Sequence, residues 1–225
     1  MLFRSLDQPD IARVKLHKEC DAGRIVGPFI TPPFVNLSTS PLGIVPKKDP
    51  SEFLLIHHLS YPKGNSVNDA IPDYCSSVKY ASVSDAITAI KAIGKGCFLA
   101  NMDIKSAFRI VPIHPADYSL LGMKFDNLYY FDRCLPMGLS SSCNIFEAFS
   151  SALEWLSVHR LGASSVLHML DNFFVYCKDR CEANLGNFVS LCHYLGVPLA
   201  PEKTVGPDTV LQFAGVTLDS VNREA

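Results

Sequence analysis

A β-hairpin predicted over residues 166–177 constrains the fold of this chain more than any other feature. The segment reads VLHMLDNFFVYC, in which two apolar, strand-forming runs flank Asp171 and Asn172. Because Asp and Asn tolerate the positive φ of a tight turn, we expect these two residues at the hairpin tip. The pattern leaves two interpretations open for Asp171: a turn residue, or a carboxylate held rigidly for chemistry.

A second hairpin and a third strand are predicted earlier in the chain. Residues 120–125 and 128–131 flank Asp126 and Asn127, which is the same turn signal. The segment FLANMDIKSAFRIVPI, residues 98–113, begins as a strand that carries Asp103. Residues 28–50 contain many prolines and predict extended segments and turns.

Helical and extended segments alternate over the rest of the chain. Helices are predicted at 1–24, at 85–93 with Ser84 as N-cap and Gly94 at the end, at 140–159 and at 182–195. The 140–159 segment places Ile145, Phe146, Phe149, Leu153 and Leu156 on one apolar face. Short strands are predicted at 42–45, 53–56 and 211–218. This mixed order predicts an α+β fold.

Composition restricts the class of protein further. With 225 residues, 48% of them hydrophobic and 19% charged, the chain can bury a core and is not disordered. No apolar run approaches the roughly 20 residues of a membrane span, and no secretion signal appears. The spacing of Cys177, Cys181 and Cys192 matches no common zinc motif, so buried free thiols are predicted. We therefore expect an intracellular protein without a membrane partner.

Asp103 and Asp171 are the candidate chemical residues. A carboxylate within a strand needs a partner, because burying it alone is costly. Two divalent ions about 3.5–4 Å apart, shared by two such carboxylates, can clamp the attacking and leaving oxygens of a phosphoryl transfer. Spacing alone cannot pair residues so far apart, and a turn or surface role is open for each.

Several segments resemble reverse transcriptases, in the order in which those enzymes have them. NMDIKSAFRIVPI, CLPMGLSSSCNIFEAF and HMLDNFFV resemble motifs A, B and C. Upstream, SPLGIVPKKD and LIHHLSYPKGNSVND resemble the fingers; downstream, LAPEKT and LQFAGVTLD resemble motifs D and E. These segments are most similar to those of DIRS and Ngaro retrotransposons, which encode a tyrosine recombinase. The resemblance covers nearly the whole chain.

This resemblance implies a right-hand polymerase fold without its thumb. Fingers would span residues 1–95 and palm 96–225, with a return to the fingers at about 117–136. An antiparallel palm sheet would be backed by the helices at 140–159 and 182–195. The chain would belong to a longer polyprotein with thumb, RNase H and recombinase regions, and would use a template–primer and deoxynucleoside triphosphates.

The resemblance also implies roles for individual residues. Asp103 and Asp171, with the backbone carbonyl of Ile104, would hold two Mg²⁺ or Mn²⁺ ions, and Lys203 would protonate the pyrophosphate leaving group. The residues implied in nucleotide binding are Lys47, Lys48, Ile104, Ala107, Phe108, Met137 and Gly138, with Phe108 as the steric gate against a 2′-hydroxyl. The primer grip would begin at Phe213, Ala214 and Gly215.

Two positions depart from the family pattern. Asn172 stands where the second motif C aspartate is usual, and Leu54 stands where an arginine usually contacts the triphosphate. An amide lacks the negative charge, and an apolar side chain cannot form the phosphate contact. We expect the missing charge at Asn172 to weaken polymerisation by about 10²–10³-fold. Two alternatives stay open: a catalytically dead remnant that at most binds nucleic acid, and an unrelated metal-dependent phosphotransferase or nuclease.

Overall fold

A computed structural model describes residues 3–4, 8–47, 49, 52–161 and 166–224. The chain forms two compact units. The first unit comprises Met1–Ser77 and Phe108–Asn144, and the second comprises Val78–Ala107 and Ile145–Ala225. The predicted α+β class is confirmed, with antiparallel pairing in every sheet of the described residues.

Helices and strands alternate along the chain without a repeating order. The helices are α1 (Pro9–Asp21), α2 (Asp73–Ser76), α3 (Val83–Ile93), α4 (Ser142–Leu161) and α5 (Cys181–Tyr194). The strands are β1 (Phe3–Arg4), β2 (Ile25–Phe29), β3 (Leu42–Pro46), β4 (Phe53–His57), β5 (Phe98–Asp103), β6 (Gly122–Phe125), β7 (Leu128–Asp132), β8 (Val166–Met169), β9 (Asn172–Cys177), β10 (Val205–Asp208), β11 (Val210–Phe213) and β12 (Val216–Asp219). Short 3₁₀ turns lie at Asn68–Ala70, Ala107–Ile110, Pro115–Leu120 and Pro201–Lys203.

The first unit contains two small sheets, in the orders β1-β3-β4 and β2-β7-β6. Its core is formed by α1, which packs Ala12 and Leu16 against apolar residues of both sheets, among them Ile25, Ile44 and Tyr130. The predicted β6–β7 hairpin is confirmed, because Asp126 and Asn127 both adopt a positive φ, of 50° and 59°. This conformation matches the twist of the flanking strands.

The second unit is built on the four-stranded sheet β10-β5-β9-β8. One face carries Leu99 and Phe174, which pack with α3 and with the β11–β12 hairpin. The opposite face carries Phe173, whose ring lies 4.9 Å from that of Phe188 on α5. The predicted sheet backed by the two later helices is therefore confirmed, with α4 contacting β8 through His168.

Three local predictions are wrong in detail. The first helix begins at Pro9, whose fixed φ suits the first helical turn. The N-cap of α3 is Ser82, not Ser84, because Ser82 and Asp85 form a reciprocal capping box. The predicted 211–218 strand is a hairpin, since Ala214 and Gly215 at φ 49° and 84° reverse the chain.

The cysteines and the helices bear on two further expectations. All eight cysteines are free thiols, and Cys177, Cys181 and Cys192 are buried, as predicted. Burial raises the pKa of the Cys192 thiol to about 12. None of the helices among the described residues has the length and hydrophobicity needed to cross a bilayer.

Candidate functional site

Asp103 is the last residue of β5, at the end of a central strand of the second unit. The residue is only 9% exposed, so its carboxylate is largely removed from water. Its backbone carbonyl accepts a hydrogen bond from the Ala200 N–H, at 2.9 Å. The strand end is therefore fixed, and with it the direction in which the carboxylate leaves the sheet.

Asp171 lies in the two-residue turn between β8 and β9, beside the end of β5. Its carbonyl accepts a 2.8 Å hydrogen bond from the N–H of Ile104, the residue that follows Asp103. Burial, and next the negative charge of Asp103, raise the pKa of the Asp171 carboxyl above its usual range. The two acidic residues predicted to act together thus belong to neighbouring backbone segments and interact through their charge.

The turn itself differs from the expected one. The positive φ of 53° falls on Leu170, and Asn172 already belongs to β9, where it pairs with Met169. The turn residues are therefore Leu170 and Asp171 instead of Asp171 and Asn172. A leucine in the left-handed region is unfavourable, so other contacts must stabilise it.

Asn172 is the direct partner of Asp103 in the register of β5 and β9. Its side-chain oxygen Oδ1 is buried and has no hydrogen-bond partner among the described residues. An unsatisfied buried acceptor is unusual in a folded protein. A cation or a water molecule is the kind of ligand that would satisfy this oxygen.

The side chains at this strand end fit a hard divalent cation. The oxygen donors are the carboxylates of Asp103 and Asp171, with the amide oxygen of Asn172 close by in the register. Among the described residues no cluster of three or more His, Cys, Asp or Glu side chains is placed to hold a metal. Mg²⁺ suits such a sparse donor set, because it is commonly bound by one or two carboxylates and keeps water and phosphate ligands.

Lys203 also contacts this group of oxygen donors. Its Nζ lies 2.8 Å from Oδ1 of Asp103, although the lysine side chain is 58% exposed. The hydrogen bond to Asp103 raises the pKa of Lys203. The ammonium group therefore neutralises one carboxylate of the pair and is itself kept protonated.

The loop that resembles motif B lies in the first unit and is held by backbone contacts. The Met137 carbonyl accepts a 2.8 Å hydrogen bond from the His57 N–H. Gly138 has φ 120°, and a Cβ there would lie 2.0 Å from the His57 carbonyl oxygen. The backbone of Gly138 therefore lies closer to that of His57 than a residue with a Cβ would allow.

Asn68 fixes the same loop from the other side. Its Nδ2 donates to the Gly138 carbonyl at 2.8 Å, and its Oδ1 accepts from the Ser140 N–H at 2.9 Å. One amide side chain thus pairs with both a backbone acceptor and a backbone donor of the loop. Asn68 was not predicted from the sequence, and only its occurrence in the fingers-like segment could have drawn attention to it.

The other residues implied in nucleotide binding have different environments. Lys47 is exposed and forms a 2.7 Å ion pair with Glu52, while Lys48 lies outside the described residues. Leu54 lies on β4 opposite Val45. Ala107 is buried and Phe108 half-buried in the 3₁₀ turn that follows β5.

The three residues implied in the primer grip have different environments. Phe213 is fully buried, and its ring packs 4.9 Å from that of Phe174. Ala214 and Gly215 form the exposed turn between β11 and β12. Of the three residues, the two in the turn are therefore accessible for a ligand contact and Phe213 is not.

A set of polar contacts between α4 and the β8–β9 hairpin was not predicted from the sequence. His168 on β8 lies between Glu147 and Glu154 of α4, and Ser150 donates to the Leu170 carbonyl. The signal available in the sequence was the pair of glutamates, seven residues apart, which are the two acidic residues of this helix. Residues at this spacing lie on one helix face.

Part of the sequence is similar to two viral proteins. No family model matches the sequence. Protein P of duck hepatitis B virus, strain China, is 27% identical over 127 residues, which is 53% of this chain and 15% of that protein. Protein P of strain Germany/DHBV-3 is 26% identical over 121 residues, with the same coverage. The chain therefore spans a small part of the length of these relatives.

Solved structures of foamy virus proteins are similar over nearly the whole chain. A foamy viral protease–reverse transcriptase in complex with double-stranded DNA has a TM-score of 0.72 at 14% identity, covering 95% of this chain and 34% of that one. Prototype foamy virus protease–reverse transcriptase has a TM-score of 0.72 at 19% identity, covering 96% and 26%. The chain thus has a reverse transcriptase-like fold.

Proposed function

We propose that this chain is the fingers and palm region of an RNA-directed DNA polymerase. The observation that carries the proposal is the placement of Asp103 and Asp171 in adjacent backbone segments, joined by the hydrogen bond from the Ile104 N–H to the Asp171 carbonyl. Paired carboxylates at a rigid strand end are what phosphoryl transfer by bound metal ions requires. The reverse transcriptase-like fold supports the same reaction.

The residues of the second unit would have distinct tasks in nucleotide addition. Asp103, Asp171 and the Ile104 carbonyl would hold two Mg²⁺ or Mn²⁺ ions, which would activate the primer 3′-hydroxyl and neutralise the triphosphate. Lys203, kept protonated by Asp103, would donate its proton to the departing pyrophosphate. Ala214 and Gly215 would support the primer end. Asn172 supplies an amide oxygen where a carboxylate would supply charge, so turnover would be weak.

Residues of the first unit would bind the incoming nucleotide. Met137 and Gly138 would contact its base and sugar, and Lys47 and Lys48 its triphosphate. Phe108 would exclude a 2′-hydroxyl. These roles come from the resemblance to reverse transcriptases, and the rigid backbone around Gly138 supports the first of them.

The wider setting follows from the same proposal. Fingers would occupy residues 1–95 and palm 96–225, with a return at about 117–136. The partners would be deoxynucleoside triphosphates and a template–primer, in keeping with the double-stranded DNA and RNA/DNA hybrid bound by similar foamy viral proteins. The element would be a DIRS or Ngaro-type retrotransposon whose intracellular polyprotein also carries thumb, RNase H and recombinase regions.

A second candidate function is nucleic-acid binding without polymerisation. The observation in its favour is the loss of charge at two places, with Asn172 paired to Asp103 and Leu54 on β4. A chain that neither binds metal tightly nor grips the triphosphate could still contact the phosphate backbone. Its affinity for a template–primer would then fall steeply with salt.

A primer-extension assay on the 225-residue chain separates these functions. Wild type, Asn172→Asp and the double variant Asn172→Asp/Leu54→Arg are compared with Mg²⁺ and with Mn²⁺, and Asp103→Asn is the inactive control. We expect weak extension by wild type, a rise in the variants, and a loss of about 10²-fold or more when Asp103→Asn is added.

The other possible results of this assay would favour a different function. Salt-dependent binding of the template–primer without extension by any variant would favour the second candidate. Hydrolysis of DNA without added nucleotides would favour an unrelated nuclease. If the chain shows no binding of the template–primer and no extension, both proposals are overturned.

A further inference from the structure

The turn that carries Asp171 depends on a residue in an unfavourable conformation. Leu170 is the first turn residue and has φ 53°, a region that a side chain with a Cβ rarely occupies. Such a conformation persists only where surrounding contacts determine it. The contacts around Leu170 therefore contribute to the position of Asp171.

Helix α4 binds both backbone polar groups of Leu170. The Leu170 N–H donates to Oε2 of Glu147 at 3.2 Å, and the Leu170 carbonyl accepts from the hydroxyl of Ser150 at 2.7 Å. Glu147 and Ser150 are three residues apart and so lie on the same helix face. Since the Asp171 carbonyl is bound by the Ile104 N–H, three consecutive peptide groups of the turn are fixed.

His168 in turn holds Glu147 in place. Its Nδ1 lies 2.5 Å from Oε2 of Glu154, and its Nε2 lies 3.2 Å from Oε1 of Glu147. The second contact is at ion-pair distance but is not aligned as a hydrogen bond. The ring also stacks on buried Phe173, with centroids 5.5 Å apart, which restricts its movement.

From these contacts we propose that Glu147 and Ser150 are positioning residues that set the location of the Asp171 carboxylate. In this role Glu147 and Ser150 would act through the backbone of Leu170, with which both form hydrogen bonds. The inference deepens the proposed function and rests on it, because a fixed carboxylate matters only if Asp171 binds a metal ion. Outer contacts of this kind commonly change metal affinity by about 10- to 100-fold.

The test compares three glutamate variants by Mn²⁺ binding, measured from the electron paramagnetic resonance signal of free Mn²⁺. Glu147→Ala removes the acceptor of the Leu170 N–H and is expected to weaken binding about 10-fold. Glu147→Gln keeps an oxygen there and is expected to stay near wild type. Glu154→Ala is the matched control, because Glu154 contacts the same histidine but not Leu170.

Ser150→Ala supplies an independent variant at the other backbone group. It removes only one oxygen, so the fold is expected to persist, and Mn²⁺ binding is expected to weaken as in Glu147→Ala. Unfolding by urea is recorded for every variant. A loss of affinity in Glu147→Ala that merely follows its loss of stability, with Glu154→Ala showing the same relation, would overturn the proposal.

A second measurement keeps the positioning role testable if wild type binds no Mn²⁺. Hydrogen exchange of the Ile104 amide reports on its bond to Asp171, because neither Glu147 nor Ser150 touches that amide directly. Faster exchange at Ile104 in Glu147→Ala, but not in Glu154→Ala, supports the positioning role. Equal exchange in all variants overturns it, whereas absent Mn²⁺ binding by wild type counts against the proposed polymerase function.

Discussion

Asp103 and Asn172 are direct cross-strand partners in the register of β5 and β9. Side chains of directly opposed residues leave a sheet on the same face, at close range. The buried carboxylate of Asp103 therefore has, as its nearest strand neighbour, an amide whose oxygen Oδ1 has no hydrogen-bond partner among the described residues. An aspartate at position 172 would place a further negative charge beside Asp103 and Asp171.

The substitution Asn172→Asp should make the folded chain more dependent on a divalent cation. Without metal, the added charge should lower the melting temperature, because like charges are brought together in a partly buried place. With Mn²⁺ the melting temperature should rise more than in wild type, since a ligand bound only to the folded state stabilises it. Thermal unfolding with and without Mn²⁺ measures both effects.

Asn101→Asp is the matched control for this prediction. Asn101 lies on β5 two residues before Asp103, so it shares the face, and its Oδ1 is likewise buried without a partner among the described residues. A carboxylate there adds the same charge farther from Asp171. A gain from Mn²⁺ as large as that of Asn172→Asp would mean that the metal effect is not specific to position 172.

The two hairpins show where sequence rules suffice. At Asp126 and Asn127 both residues tolerate a positive φ, and the turn forms where it was predicted. At residues 166–177 the same rule selected Asp171 and Asn172, but the chain turns one residue earlier, at Leu170. Hydrogen bonds with Glu147 and Ser150 stabilise that turn. Because both partners lie on α4, far from the turn in the sequence, a rule based on the turn residues alone cannot predict them.

Long-range pairing is the other part that local sequence could not supply. Strand character was readable around Asp103 and around Asp171, but nothing in their spacing predicted that Ile104 would bond to Asp171. The expectation that these residues act together came from the order of the reverse transcriptase-like motifs. The contact of Lys203 with Asp103 was not expected, because it depends on how the segment before β10 folds back on β5.

Gly138→Ala should destabilise the first unit strongly. A Cβ at this position meets the His57 carbonyl oxygen at 2.0 Å and also requires a φ of 120°, which residues other than glycine rarely adopt. Strain and overpacking together should cost about 3 kcal/mol in the free energy of unfolding, measured by urea titration.

Gly23→Ala, in the same unit, separates the effect of backbone strain from that of overpacking. Gly23 has φ 69°, and a Cβ there would meet nothing within 4 Å. Its substitution should therefore cost about 1 kcal/mol, from the left-handed conformation alone. If both variants lose the same stability, the close approach of Gly138 to His57 is not a constraint on this loop.

Lys203→Met should have opposite effects on metal binding and on turnover. Removing the ammonium group frees Oδ1 of Asp103, so Mn²⁺ should bind more tightly, by up to about fivefold, because such an exposed ion pair is worth at most about 1 kcal/mol. Primer extension should nevertheless fall, since the proton donor for pyrophosphate is lost. Lys178→Met, at an exposed lysine of the same unit, should change neither. Weaker Mn²⁺ binding in Lys203→Met would mean that the lysine does not compete with the ion.

His168 should stabilise the fold more at slightly acidic pH than at alkaline pH. Burial lowers the pKa of this imidazole, but the hydrogen bond to Glu154 and the charge of Glu147 outweigh it, so the pKa is raised above its ordinary value of 6.5. A group with a raised folded-state pKa stabilises the fold fully below the unfolded value, and the contribution is lost as pH rises through the folded value. The difference in unfolding free energy between wild type and His168→Gln should therefore be larger at about pH 6 than at about pH 9.

His193→Gln, at an exposed histidine on α5, controls for general effects of charge in this comparison. Its unfolding free energy should differ little from that of wild type, because a substitution at an exposed position usually changes stability by about 0.5 kcal/mol or less. A His168 difference that grows with pH would show that His168 is held neutral between the two glutamates. Glu147 would then lack the charged partner that keeps it on the Leu170 N–H.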